Sequence, residues 1–152
     1  MLVGVNATKD AIFIAETGDD DCQFVVTKIT RLQFQIATSE DLAELLKNLK
    51  TLLGSLVDDE PGTIALLCCS SGQYGSSVEA VKAEAMAQLA AHEMNISVTP
   101  VKPQSLKSAL GCAATEKWQA RSKELLNPDG QHKHWSEGAN GAAAAAYKVS
   151  QS

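Results

Sequence analysis

The sequence predicts an α/β fold with a five-stranded mixed sheet, in which three antiparallel strands are followed by parallel βαβ units and helices flank the sheet. Two observations support this fold class. Three short segments rich in β-branched or aromatic residues precede the first helical pattern. Apolar strands then alternate with helical segments, an order typical of right-handed parallel crossovers. The 152 residues fit one compact core, so residues 1–152 are predicted to form a single domain.

The first three predicted strands form an antiparallel meander. They are placed at 2–6, 11–16 and 22–34, because each segment is short, rich in strand-forming side chains and bounded by polar residues. The run TGDDD, residues 17–21, consists of turn-forming residues and predicts the connection between the second and third strands.

A leucine-rich segment follows and predicts the first helix. Its leucines recur at the three- and four-residue spacing of one helix face. Thr38, with Asp41 three residues later, matches a capping box at the start of this helix. The leucines are Leu42, Leu45, Leu46, Leu49, Leu52, Leu53 and Leu56.

The second half of the chain predicts two further strands, with helices between and after them. The continuous apolar run in PGTIALLCC is typical of a strand covered on both faces, and we place the centre of the sheet there. The loop SSGQYGSS lacks the lysine and spacing of a phosphate-binding loop, which favours a plain connection. The remaining elements are a helix at 78–93, a strand at 96–101, helices at 104–110 (stopped by Gly111) and 115–126, and a final alanine-rich helix capped by Ser136.

Composition and charge exclude several function classes. With 45% hydrophobic and 20% charged residues, the chain has the composition of a globular protein. The formal net charge of −5 argues against a strong non-specific grip on phosphate backbones, although it leaves room for a local basic patch. The four cysteines lack zinc-type spacing, and no apolar stretch approaches the ~20 residues of a membrane span. We therefore expect a cytoplasmic protein with reduced thiols.

Three segments resemble one known family. PQSLKSALGCAATEKWQ, residues 103–119, resembles the stretch of RuvC-type Holliday-junction resolvases that runs from a proline through a lysine and a glycine to a second lysine. Lys107, Gly111 and Lys117 match that pattern. EGANGAAAAA resembles the final helix of the same family, and LVGVNATKD resembles its first strand. The resemblance implies a RuvC-like, ribonuclease H-like fold over nearly the whole chain.

The resemblance also implies a reaction, which is phosphodiester hydrolysis by two Mg²⁺ ions held by four acids. Of the corresponding positions in this chain, only Glu137 is an acid. The first strand carries Asn6, the central strand Leu67 or Cys68, and the final helix Asn140. Mg²⁺ prefers charged oxygen ligands, so the loss of three anionic ligands predicts an inactive site that holds no metal or other cofactor.

A basic segment is a candidate for binding nucleic acid or a protein partner. It carries Lys107, Lys117 and Arg121, and the resemblance implies that similar positions face nucleic acid. A solvated helix face balanced by Glu116 and Glu124 is the equal alternative.

The loop NPDGQHKHW is a second binding candidate. Its cluster of His132, His134 and Trp135 could bind zinc, stack on a base or contact a partner, whereas a solvated histidine pair is the simpler interpretation. The adjacent Cys68 and Cys69 are interpreted as ordinary packing residues on opposite faces of a strand.

These observations lead to one main hypothesis and two alternatives. We expect a catalytically inactive RuvC-like protein that acts by binding nucleic acid or a protein partner, and we do not expect an enzyme. The first alternative is a divalent-metal-dependent nuclease with a shifted site around Glu137, which would require Mg²⁺. The second is a dimeric scaffold or regulatory subunit, since relatives of the RuvC type pair.

Overall fold

The structure is a computed structural model that describes residues 1–57, 62–69 and 75–152. Its strands are β1 (Leu2–Ala7), β2 (Ala11–Asp20), β3 (Gln23–Gln33), β4 (Thr63–Leu67) and β5 (Ser97–Val101). They form one mixed sheet in the order β3-β2-β1-β4-β5. β1 pairs antiparallel with β2 and parallel with β4, as the predicted meander and crossover require. The predicted fold class is confirmed.

Helices cover both faces of the sheet. They are α1 (Ser39–Leu56), α2 (Val78–Glu93), α3 (Leu106–Ala109), α4 (Trp118–Leu126) and α5 (Asn140–Ser150). The predicted capping box is present at the start of α1, where Thr38 and Asp41 exchange side-chain and main-chain hydrogen bonds. The loop SSGQYGSS between β4 and α2 lies largely outside the described residues. In the described ranges, no helix is both long and apolar enough to cross a membrane.

The β2–β3 hairpin has longer strands and a shorter turn than predicted. The predicted turn at 17–21 is wrong, because the ladder continues to Asp20 and only Asp21 and Cys22 form the turn. Both turn residues have positive φ angles, 50° and 65°, as do the two-residue turns that match strand twist. A register shift between Glu16 and Thr17 marks a bulge. Ladder hydrogen bonds join main-chain groups, so polar side chains at the tip do not end the strands.

α1 and α2 pack on one face of the sheet. Three of the seven leucines of α1 are buried, and the others that contact this core are partly exposed. Alternate residues of β1 and β2 point toward the same layer. The buried side chains of this layer include Leu45, Leu49, Leu53, Ala83, Ala87, Ala90, Val3, Val5, Ile12 and Ile14.

α5 packs on the opposite face at close distance. Its alanines at 142–146 are completely buried. A Cβ atom at Gly4 would overlap the main-chain carbonyl oxygen of Ala142, so β1 requires a residue without a side chain at this contact. The predicted alanine-rich helix is present, and its small side chains let it lie directly on the sheet.

The helices after β5 begin differently from the prediction. A 3₁₀ turn at Pro103–Ser105 precedes α3, and Gly111 follows that helix with φ +70°, as expected of a helix stop. Ser136 is not the cap of the last helix, because it lies inside a π-helical turn at Trp135–Ala139. Gly138, with φ 157°, separates that turn from α5. The single-domain prediction for residues 1–152 stays a prediction.

Candidate functional site

The candidate site lies where β1 and β4 end beneath the start of α5. The two strands are parallel neighbours, and their register pairs Asn6 with Leu67. Gly138 and Gly141, at the start of the last helix, lie against these strand ends, so segments far apart in the sequence meet at one end of the sheet.

Asn6 is the centre of this meeting point. Its side-chain Nδ2 donates a hydrogen bond of 3.0 Å to the carbonyl oxygen of Gly138. A Cβ atom at Gly141 would lie 2.7 Å from Nδ2 of Asn6 and 2.8 Å from Cδ2 of Leu67. The first turn of α5 is therefore pressed against both strand ends.

Asn140 is engaged within the first turn of α5. Its side chain is 9% exposed, and its Oδ1 accepts a hydrogen bond of 2.7 Å from the main-chain N–H of Gly141. The hydroxyl of Ser122 in α4 donates to the main-chain carbonyl of Asn140 at 3.4 Å. These contacts hold the amide in the interface between α4 and α5.

Glu137 contacts two basic side chains, one of them on the edge strand β3. Its Oε2 lies 2.8 Å from Nδ1 of His134 and 3.6 Å from Nε of Arg31 on β3. The carboxylate is 53% exposed, and its ion-pair contacts are with these two basic side chains.

The two cysteines follow β4 and are not part of it. β4 ends at Leu67, so the prediction that Cys68 and Cys69 lie on opposite faces of a strand is wrong. Burial is the main cause that raises the pKa of Cys69 to about 11, and the hydrogen bond with Glu84 adds to it. Burial and the charge of Glu84 also raise the pKa of Cys68. Both thiols are partly buried, free and weakly acidic, which is the opposite of a reactive thiolate.

The residues at the strand ends do not fit a two-metal centre. Leu67 offers no ligand atom, Asn6 and Asn140 are neutral amides held by hydrogen bonds, and the thiol of Cys68 is a soft ligand. In the part of the chain that the structure describes, no three His, Cys, Asp or Glu side chains are grouped so that they could hold a metal ion. No hydrolytic step through bound Mg²⁺ follows from this geometry.

Comparison with solved structures gives the fold a name. RuvC of Thermus thermophilus in complex with a Holliday junction substrate superposes with a TM-score of 0.73 at 14% identity, over 98% of this chain and 91% of that one. A second structure of Thermus thermophilus RuvC gives 0.70 at 16% identity, over 98% and 92%. The chain has the RuvC-type ribonuclease H-like fold. A Fowlpox virus resolvase in complex with Holliday junction DNA is more distant, with a TM-score of 0.57 at 10% identity over 99% of both chains. No family model and no curated sequence matches the chain.

The basic segment after β5 of this RuvC-type fold is partly used for internal contacts. Nζ of Lys107 donates to the carbonyl of Ala114 at 2.5 Å, and Nε of Arg121 donates to the carbonyl of Leu110 at 3.2 Å. Arg121 also lies 3.3 Å from Oε2 of Glu124, whereas Lys117 is exposed. Lys107 and Arg121 thus make contacts within the protein, and Lys117 faces solvent. The role of the segment in binding stays a prediction.

The residues of the histidine cluster make hydrogen-bond and ring contacts within the protein. Asn127 is 2% exposed, and its side chain bonds both the N–H of His132 at 3.1 Å and the carbonyl of His132 at 3.2 Å. The ring of His132 stacks on Trp135 with centroids 6.2 Å apart. Trp135 is 9% exposed and belongs to the core, and a binding role of the cluster stays a prediction. The loop NPDGQHKHW is therefore attached to the core through the buried side chain of Trp135.

Sequence reasoning missed the contribution of β3 to this region. A groove of about 500 Å³ runs between β3 and the segment 131–134, which we call the histidine loop. Its polar lining residues include Lys28, Arg31, Gln131, His132, Lys133 and His134. We call this feature the basic groove. Basic residues of β3 and of the loop are separated by about a hundred positions, so no local motif connects them, and only the sheet order places them together.

Proposed function

We propose that the chain is a RuvC-like protein that does not hydrolyse phosphodiesters and that acts by binding nucleic acid. The proposal combines the fold with the chemistry of the strand ends. Two neighbours of the same fold are complexes with Holliday junctions, which supports branched DNA as the first ligand to test. A protein partner is the second candidate, because the chain has a net charge of −5 and lacks a broad basic surface by composition.

The main observation in favour of a lost hydrolytic activity is the hydrogen bond from Asn6 to Gly138. The bond turns an N–H donor toward a main-chain carbonyl, at the position where the resemblance implies a carboxylate for a metal. A divalent ion needs oxygen ligands with negative charge, and charge count is a large part of its affinity. Leu67 beside Asn6 supplies a hydrocarbon instead. The strand ends therefore support packing rather than metal binding.

The alternative of a nuclease centred on Glu137 receives no support from its contacts. Oε2 of Glu137 is already within 4 Å of two basic nitrogens, on His134 and Arg31. A metal ion would have to displace the contacts that the same oxygen makes with both side chains. A nearby acid is also needed, and the described residues offer no such grouping.

Gel assays of binding and cleavage test the proposal. The pure protein is incubated with a labelled four-way junction, single-stranded DNA and an RNA–DNA hybrid, in Mg²⁺ or Mn²⁺, with an active junction resolvase as the positive control. We expect retarded bands and no cleavage. Metal-dependent cleavage that is lost in Glu137→Ala would show that the protein is a nuclease. The absence of both binding and cleavage would turn the function toward protein partners.

Two further properties are proposed, an oligomeric state and a location in the cell. A dimer is the state that the RuvC resemblance implies, and sedimentation at several protein concentrations tests it. A strictly monomeric particle at all concentrations would contradict a dimeric scaffold. A cytoplasmic location is proposed from the four free thiols, and cell fractionation tests it.

A further inference from the structure

We propose that the basic groove binds the phosphate backbone of nucleic acid through protein cations and without a metal ion. This inference rests on the proposed binding function and names the surface that carries it out. It concerns β3 and the histidine loop, and not the strand ends around Asn6.

The first argument is charge. Lys28, Arg31 and Lys133 line the groove together with two histidines, and no acidic residue is among the lining residues that the structure describes. The whole chain has 13 Lys and Arg against 18 Asp and Glu. Three permanent cations around one groove are thus a local concentration of positive charge on an acidic protein. Neutralisation of phosphates by such cations supplies most of the backbone affinity of nucleic-acid-binding proteins.

The second argument is that several residues of the groove are positioned by contacts within the protein. Asn127, which is 2% exposed, holds the main chain of His132 by both its donor and its acceptor. Trp135 fixes the imidazole ring of His132 by stacking. Oε2 of Glu137 lies 2.8 Å from Nδ1 of His134 and 3.6 Å from Nε of Arg31, a side chain that is 29% exposed. Fewer rotamers are lost when such a preorganised surface binds a ligand.

The third argument is the position of Glu137 between the site and the groove. Glu137 is the one acid retained from the pattern implied by the resemblance, and it now orients two basic side chains that line the groove. It is a positioning residue here. Its single negative charge leaves most of the positive charge of the groove uncompensated. The groove that these side chains line has a volume of about 500 Å³.

A pair of variants with equal net charge tests the groove. Lys28→Gln/Lys133→Gln removes two groove cations. Lys47→Gln/Lys82→Gln removes two exposed lysines of α1 and α2 that do not line the basic groove, and it changes the net charge equally. Circular dichroism and thermal melting check that both fold. Affinity for labelled single-stranded DNA and for a labelled four-way junction is measured at several salt concentrations, with Mg²⁺ and with EDTA.

We expect the groove variant to bind about tenfold more weakly than the parent, with a salt slope shallower by about 0.7 for each phosphate of the single strand that is no longer neutralised. The control variant is expected to bind like the parent, and EDTA is expected to change nothing. Binding that is equal in the groove and control variants would overturn the groove while leaving the binding function intact. Binding that is lost in EDTA would overturn the metal-independent mode alone. A parent protein that binds neither probe would overturn the groove and the nucleic-acid function together.

Discussion

The side-chain amide of Asn6 donates a hydrogen bond to the carbonyl oxygen of Gly138, which lies 132 positions further along the chain. The bond joins the end of the first strand to the turn that leads into the last helix. In the pattern implied by the RuvC resemblance, a carboxylate and a metal ion belong at this junction. Here one neutral donor and one neutral acceptor satisfy each other, so the junction is held by the protein alone.

Asn6→Asp is predicted to destabilise the fold in a pH-dependent way. At pH 7 the new carboxylate would face the carbonyl oxygen of Gly138 without a donor, which costs about 2 kcal/mol of unfolding free energy. That contact raises the folded-state pKa of the carboxyl above its unfolded value of about 3.9. The loss of stability is therefore small below pH 4, where the protonated carboxyl can donate, and it grows as the pH rises. Urea unfolding at pH 4 and pH 7 measures it.

Asn95→Asp is the matched control for this substitution, because Asn95 is exposed in the turn after α2. Its effect is expected to stay within about 0.5 kcal/mol at both pH values. Equal stability losses for the two variants at pH 7 would show that the bond between Asn6 and Gly138 contributes nothing specific.

The close approach of α5 to the sheet predicts an order of stabilities for three glycine substitutions. Gly4→Ala should cost about 3 kcal/mol or more, because its Cβ meets main-chain atoms of Ala142 that cannot move aside. Gly141→Ala should cost less, about 1 to 3 kcal/mol, because its Cβ meets the side-chain ends of Asn6 and Leu67.

Gly54→Ala is the control for this series. Gly54 lies in α1, where alanine is favoured by about 1 kcal/mol, and among the described residues a Cβ there would meet the flexible end of Met94, at 3.2 Å. Thermal melting of the three variants checks the order. Similar melting temperatures for Gly4→Ala and Gly54→Ala would mean that α5 does not press on β1 as described.

Much of the fold could be predicted because it is encoded locally. The capping box of Thr38 and Asp41 marks where α1 begins, and the leucine spacing shows which face of α1 meets the sheet. The alanine run fixes α5 as a helix that lies close to the sheet. The order of strands and helices then limits the sheet to few topologies, since parallel crossovers are right-handed.

The rest depends on contacts between distant segments. The side chains of TGDDD favour a turn, but backbone pairing with β3 carries the strand to Asp20. The direction of Glu137 depends on Arg31, which belongs to an edge strand more than a hundred positions earlier. Periodicity in a single segment contains no information about such partners, and so the basic groove could not be predicted.

Cys69 is predicted to react slowly with alkylating reagents in the folded protein. With a pKa of about 11, roughly one thiol in a thousand is ionised at pH 8. Cys22 lies exposed in the β2–β3 turn and should be modified first. Mass spectrometry after timed treatment with iodoacetamide measures both sites, and unfolding in urea should make their rates similar.

Glu84→Gln tests why the pKa of Cys69 is raised. The carboxylate of Glu84 adds to the effect of burial on this thiol, so its neutralisation should lower the pKa of Cys69 and speed its alkylation several-fold. An unchanged rate in the variant would assign the whole shift to burial. Faster modification of Cys69 than of Cys22 in the folded parent would contradict the raised pKa itself.

Asn127→Ala is predicted to loosen the histidine loop and to weaken the fold. The buried amide bonds both main-chain groups of His132, and its removal leaves a donor and an acceptor without their partner. We expect a loss of about 2 kcal/mol in unfolding free energy and faster hydrogen exchange at 131–134. Gln131→Ala, an exposed change in the same loop, should stay within about 0.5 kcal/mol of the parent. If the loop exchanges as slowly in Asn127→Ala as in the parent, then contacts other than Asn127 hold it, and the preorganisation argued for the basic groove has a different origin.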